Sequence, residues 1–175
     1  MPVAMDRGHH VRILDRFCFL PPFVHPETLF PELSTSDNLE LVRGDIRRLQ
    51  EYPNLFEGVD AIIHLAGLSS DPTCDLDPEM AHDVNVECTR ELARQAIQAG
   101  VKRFVFASTC AVYGHGVFEI LDEESPSNPV SVFSRSKLEA ETALLSMASS
   151  AFSPVIARMG TLFGYSRRMR FDLAV

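Results

Sequence analysis

Residues 103–114 read Arg103-Phe104-Val105-Phe106-Ala107-Ser108-Thr109-Cys110-Ala111-Val112-Tyr113-Gly114. Arg103 to Ala107 is a short run of branched and aromatic residues, which predicts a buried strand broken by the small polar residues that follow. An amphipathic segment leads into it. Asp77 before Pro78 pairs an N-cap with proline at the first helical position, and Met80, Val84, Cys88, Leu92, Ala96 and Ala99 recur at a spacing near four. Gly100 takes the position just past the helix end. A helix delivered into a strand is half of a βαβ unit, and the rest of the chain repeats the pattern. Further apolar runs are His10 to Leu14, Leu39 to Val42, Ala61 to Leu65 and Pro154 to Ala157, with a second helix predicted from about Ser134 to Ala148. Its inward positions include Leu138, Leu144, Leu145 and Ala148. Pro21, Pro22, Pro26 and Pro31 make the first crossover irregular. The predicted class is α/β, with βαβ units around a parallel sheet.

The 175 residues suffice for one domain with a real core. Hydrophobic residues at 46% and charged residues at 23% match soluble globular chains, which argues against wholesale disorder. A net charge of −8 gives no attraction for phosphate backbones or anionic lipid, so nucleic acid and membranes are not expected as partners. No apolar run approaches the roughly 18 residues of a spanning helix. The first ten residues carry Asp6, Arg7, His9 and His10 in place of a signal peptide's apolar stretch, so a cytoplasmic location is expected. Cys18, Cys74, Cys88 and Cys110 are scattered without a CxxC pair and read as reduced thiols. The six histidines show no metal-ligand spacing, and no metal is expected.

Open parallel sheets bind ligands beyond the carboxyl ends of their strands, so the residues after each run are the candidates. Asp15 ends the first run. An acidic side chain there accepts both ribose hydroxyls of an adenine dinucleotide and repels a 2′-phosphate, favouring NAD over NADP; the competing reading is a turn or N-cap aspartate. Gly44, Asp45 and Ile46 follow the second run, and Leu65, Ala66 and Gly67 end the third. These small or apolar residues suit a flat cofactor.

Taken with Ser108-Thr109-Cys110-Ala111-Val112-Tyr113-Gly114 and Phe133-Ser134-Arg135-Ser136-Lys137, the order of these pieces resembles a known family. It is that of the extended short-chain dehydrogenase/reductases, specifically the NAD-dependent epimerase/dehydratases acting on nucleotide sugars. The resemblance runs from Arg7-Gly8-His9-His10-Val11 through Asp15, Gly44-Asp45-Ile46 and His64-Leu65-Ala66-Gly67 to the lysine helix, and takes in Arg168-Met169-Arg170-Phe171-Asp172. It implies a Rossmann-like doubly wound parallel sheet, NAD as cofactor, a nucleotide sugar as substrate, and a homodimer joined through helices that include the lysine helix.

In that family a tyrosine and a lysine stand four apart on one helix, YxxxK, with a Ser or Thr from the preceding strand end. A phenol with a pKa of about 10 is a poor base at neutral pH. A neighbouring ammonium and a cationic nicotinamide lower it, so the phenolate takes a hydroxyl proton while hydride leaves the same carbon. By this resemblance Lys137 holds the nicotinamide ribose, Thr109 is the hydroxyl partner and Ser108 lies beside the cofactor, while Phe133 occupies the tyrosine's place. Phenylalanine cannot ionise, so a severe loss of activity is expected. Cys110 and Ala111 stand where the 4,6-dehydratase branch carries Asp and Glu, which disfavours that branch. Tyr113 as a substitute base, Cys110 as a nucleophile, and Arg158, Arg167, Arg168 and Arg170 as diphosphate contacts are weaker candidates.

The family's glycine-rich turn, GxxGxxG, holds the pyrophosphate on backbone amides at a helix N-terminus. No such cluster stands in this sequence, and Gly8 matches the end of the helix that follows it. The expectation is a partial NAD-binding Rossmann domain over residues 1–175, without the first strand and glycine-rich turn and without the C-terminal substrate domain. Strands flanking the empty place would either close up or leave the chain unstable. Three readings follow: part of an NAD-dependent nucleotide-sugar epimerase/dehydratase impaired by Phe133, a catalytically inactive dinucleotide-fold binding or regulatory protein, and an α/β interaction domain with coincidental motifs.

Overall fold

The computed structural model describes residues 2–18, 20, 24, 26–29, 36–115 and 120–162. The chain divides into two compact units, one built on residues up to 48 and one spanning 49–163.

In the first unit, α1 (Pro2–Asp6) ends where the N–H groups of Gly8 and His9 return to the carbonyls of Met5 and Ala4, at 2.8 and 3.1 Å. Gly8 thus closes a helix, as its place in the sequence suggests. β1 (Val11–Asp15) and β2 (Leu39–Arg43) run parallel, with Val11 opposite Leu39 and Asp15 opposite Arg43. The crossover between them contains one short helical turn, α2 (Pro26–Leu29). Pro21, Pro22 and Pro31 lie outside the described residues.

The second unit holds β3 (Ala61–His64), α3 (Asp71–Leu76), α4 (Pro78–His82), a π-helical turn (Asp83–Glu87) and α5 (Cys88–Gln98). β4 (Arg103–Thr109), a 3₁₀ turn (Cys110–Tyr113), α6 (Val132–Ser146) and β5 (Ser153–Met159) complete it. The strands pair in the order β3-β4-β5, all parallel. As expected, the Asp77 side chain caps its helix, accepting from the Met80 N–H at 2.9 Å. The single helix expected from Asp77 to Gly100 is present but carries the π-turn inside it. A further helix, α3, went unanticipated, although Ser70 before Asp71-Pro72 is an N-cap signal of the same kind.

Register fixes the faces of this sheet. Ile62 and His64, then Phe104, Phe106 and Ser108, then Pro154, Ile156 and Arg158 share one face. Phe104 and Phe106 are fully buried, with Phe152 and Leu144 packed among the same core residues. The other face carries Ile63, Val105, Ala107 and Val155, and Ile63 is 67% and Val155 52% exposed. The expected doubly wound parallel class is met, without its first strand among the described residues. Among the described residues there are two parallel sheets, β1-β2 and β3-β4-β5, and no ladder joins β1 to β3. Each reproduces the strand order of one half of a 3-2-1-4-5-6 Rossmann sheet.

Candidate active site

β4 carries the first site residues out of the core. Its alternation turns Ser108 toward the helix-covered face and Thr109 away from it. The Thr109 hydroxyl accepts from the Ala111 N–H at 3.2 Å and so caps the 3₁₀ turn that follows. Gly114 ends that turn with φ +61°, where an added Cβ would lie 1.9 Å from the Asn128 carbonyl oxygen. Only glycine fits. Tyr113 is buried, and its hydroxyl accepts from Arg158 Nη1 at 3.0 Å.

α6 faces this strand end. Ser131 and Ser134 form a reciprocal capping box at its start, which fixes its first turn. Phe133, Lys137 and Glu141 then follow at intervals of four, on one side of the helix. Lys137 is only 7% exposed, and its Nζ lies 4.1 Å from the centroid of the Phe106 ring. No described residue offers it a hydrogen bond or an ion pair. Burial pushes its pKa down to about 8, against an opposing pull from the Glu141 and Cys74 charges. Glu141 is 1% exposed and fully engaged. It accepts a short hydrogen bond from the Ser108 hydroxyl, while Arg158 reaches it through Nε at 3.0 Å and Nη2 at 2.7 Å. The carboxylate holds the guanidinium pKa above its ordinary value. Arg158 is thus turned to Glu141 and Tyr113 rather than outward toward a diphosphate.

The loop after β3 is tied to the same helix. The Asn85 side chain donates to the Leu68 carbonyl at 3.1 Å and to the Ser136 hydroxyl at 3.0 Å, and accepts from the Leu68 N–H at 2.8 Å. Asn85 sits in the π-turn, where the Thr89 hydroxyl donates to its carbonyl at 2.8 Å and is itself 2.9 Å from His64 Nε2. Thr89 spends its proton on Asn85, so His64 donates through Nε2. Burial between Phe104 and Phe106 and the nearby Lys137 charge push the histidine down to about 3, so it is neutral at physiological pH. A Cβ at Gly67 would meet Asn85 Oδ1 at 2.8 Å, which explains the glycine there. Leu65, Ala66 and Gly67 are exposed, a small apolar ledge at the strand end.

In the first unit, the Asp15 carboxylate accepts from the Phe17 N–H at 2.6 Å, the local turn bond that competes with a ribose-binding role. Asp45 is held by Arg47, through the guanidinium at 2.6 Å and the backbone N–H at 3.0 Å, and by Arg16 at 3.2 Å. The Arg47 hydrogen bond lowers its pKa. Ile46 opens the 3₁₀ segment Ile46–Glu51, half-buried.

Within the second unit the fold therefore gathers Ser108, Phe133, Lys137 and the Leu65–Gly67 ledge around α6, and leaves Thr109 with a capping bond and no bond to Lys137. Asn85, Glu141 and the Arg158–Tyr113 contact went unread in the sequence. The cysteines at 18, 74, 88 and 110 are free. Arg167, Arg168 and Arg170 lie outside the described residues, and no helix among those described is long and apolar enough to cross a membrane.

The sequence of residues 1–175 matches the NAD dependent epimerase/dehydratase family. The chain belongs to that family. It is 29% identical over 159 residues to a UDP-glucose 4-epimerase of Neisseria meningitidis serogroup C, covering 88% of this chain and 46% of the relative. Its fold superposes on the UDP-Glc/GlcNAc 4-epimerase of Campylobacter jejuni with a TM-score of 0.79 and 28% identity, over 89% of this chain and 47% of that one. A dTDP-glucose 4,6-dehydratase of Streptomyces venezuelae, solved with NAD bound, gives a TM-score of 0.78 and 27% identity, over 90% of this chain and 50% of that one. The chain thus spans about half the length of these relatives.

Proposed function

We propose that this chain is the cofactor-facing part of an NAD-dependent nucleotide-sugar epimerase or dehydratase, with its acid/base step impaired by Phe133. One observation carries the reading: the Lys137 side chain is largely buried over the Phe106 ring, and no described residue hydrogen-bonds its ammonium. Withdrawing a charged group this far from water costs stability, and the cost is understandable where a ligand supplies acceptors. Ribose hydroxyls are such acceptors. The family match and the NAD-bound relative support the same reading. Leu65, Ala66 and Gly67 suit a flat ring or ribose laid across the strand end, and Ser108 anchors the lysine helix beneath it. In this reading Asp15, Asp45 and Ile46 face the adenosine half, with Asp15 favouring NAD. The residues at hand fit the nicotinamide half better than the pyrophosphate, for which residues 1–175 contain no GxxGxxG turn.

NAD, when bound, supplies a hydride acceptor for a sugar carbon. The protein must take the hydroxyl proton from that carbon, and the side chain at 133 has no oxygen to receive it. Thr109 keeps a hydroxyl at the strand end but is not itself a base at neutral pH. Phe133 is also what favours a second reading, a relative that binds the dinucleotide without turnover.

The test has two parts. NAD titrated into the chain should bind, and Lys137→Met should weaken that binding. In the full-length protein, Phe133→Tyr should raise turnover of a UDP- or dTDP-hexose by about 10² to 10⁴, the usual contribution of general acid/base catalysis. Unchanged turnover of an already active protein would show that another residue moves the proton.

A further inference from the structure

The buried carboxylate of Glu141 has no part in the proposed chemistry, yet it is the most heavily engaged side chain around the lysine helix. Its Oε1 takes the Ser108 hydroxyl proton and its Oε2 takes the Arg158 fork, so one carboxylate joins α6 to β4 and to β5. Ser108 immediately precedes Thr109, and Phe106, two residues earlier on the same face, is the ring beneath Lys137 Nζ. Glu141 lies one helical turn beyond Lys137 on the same side of α6. We propose that Glu141 is the positioning residue of this site: its tethers to Ser108 and Arg158 fix where the Lys137 ammonium lies, and its charge offsets the burial of that ammonium.

The surroundings of Lys137 leave Glu141 as its principal counter-charge. From β3 comes His64, neutral and buried; from α3 comes Cys74, buried, its thiol pushed upward by burial. From β5 comes Arg158, whose charge is turned to Glu141, and beyond it from the 3₁₀ turn comes Tyr113. None of these holds Lys137 by a hydrogen bond. Its position follows from the helix, and the helix is clasped by Glu141. The inference deepens the proposed function, since ribose hydroxyls need a placed and charged donor.

The chain has two lysines, the exposed Lys102 and the buried Lys137, so ¹³C-labelled lysine gives two resolvable ε-methylene signals. In the wild-type chain the Lys137 signal should titrate near 8 and be displaced upfield by the Phe106 ring. In Glu141→Gln the Lys137 midpoint should fall and the ring-current displacement shrink, with Lys102 unmoved. Glu141→Asp should restore part of both. Should Glu141→Gln fail to fold, the pair Glu141→Gln with Arg158→Met leaves no orphaned guanidinium and should show the same fall. A folded variant whose Lys137 midpoint and displacement match the wild type overturns the proposal. Both readouts are taken without NAD, so a failed NAD titration would count against the functional reading alone.

Discussion

The turn of α6 that carries Lys137 and the turn that carries Glu141 face the same strand and are buried to the same degree, at 7% and 1% exposure. They differ in what meets them. Glu141 collects donors from Ser108 and Arg158, whereas the Lys137 ammonium lies over an aromatic ring with no hydrogen-bond partner among the described residues. A buried charge with its partners in place holds structure together. One whose partners are absent lowers stability and keeps its donors for a ligand.

The sharpest way to break this contrast is to delete each charge and compare the signs. Glu141→Ala leaves the Arg158 guanidinium and Ser108 hydroxyl without their acceptor, and removal of one partner of a buried pair costs about 3–5 kcal/mol. Urea denaturation at pH 7 should show that loss. Lys137→Met should move the other way. The fall of its pKa from 10.5 to about 8 means that folding disfavours the charged form. At about 1.4 kcal/mol per unit, the upper bound on the gain at pH 7 is about 3.5 kcal/mol. A destabilised Lys137→Met would show that the ammonium is a structural element after all.

The same depression sets a pH signature. Between about 8 and 10.5 the unfolded chain holds a proton on this lysine that the folded chain has released, so stability rises with pH across that window. Lys137→Met should flatten that rise. His64 acts at the acid end. Its folded value of about 3 lies below the ordinary 6.5, so the unfolded chain binds the proton first and stability is lost as pH falls below 6.5. At pH 5 the loss should be about 2 kcal/mol, and His64→Gln should remove it from the denaturation profile while keeping an N–H for Thr89.

What was legible in the sequence follows the range of the interactions. All five strands among the described residues lie within two residues of their apolar runs, because burial on a sheet writes itself into consecutive residues. Lys137 and Phe133 were legible only through the resemblance to a family whose tyrosine and lysine stand four apart on one helix. The Glu141–Arg158 pair was not, since its members sit on a helix and on the strand after it and meet only once that crossover has formed. Asn85 was hidden differently. Periodicity near four predicts a helix through it, and its amide meets Leu68 and Ser136, 17 and 51 residues away, only in the folded chain. Asp15 shows the converse: its place at a strand end suggested a ribose ligand, and the structure shows a bond to the Phe17 N–H as well.

Thr109 extends the contrast to a neutral side chain and to the smallest expected effect. Its hydroxyl oxygen accepts from Ala111 N–H, and that bond alone accounts for a hydroxyl at this position. Thr109→Val keeps the shape and removes the cap, which should cost about 1 kcal/mol, while Thr109→Ser should keep it. If the hydroxyl also serves a bound sugar or cofactor, Thr109→Val should weaken binding by more than its stability loss explains, with Thr109→Ser near wild type in both. Equal small losses would leave Thr109 as a cap. Lys137 would then be the one motif residue whose presence folding alone does not explain, since among Ser108, Thr109 and Lys137 only the lysine lacks a hydrogen-bonded partner within the chain.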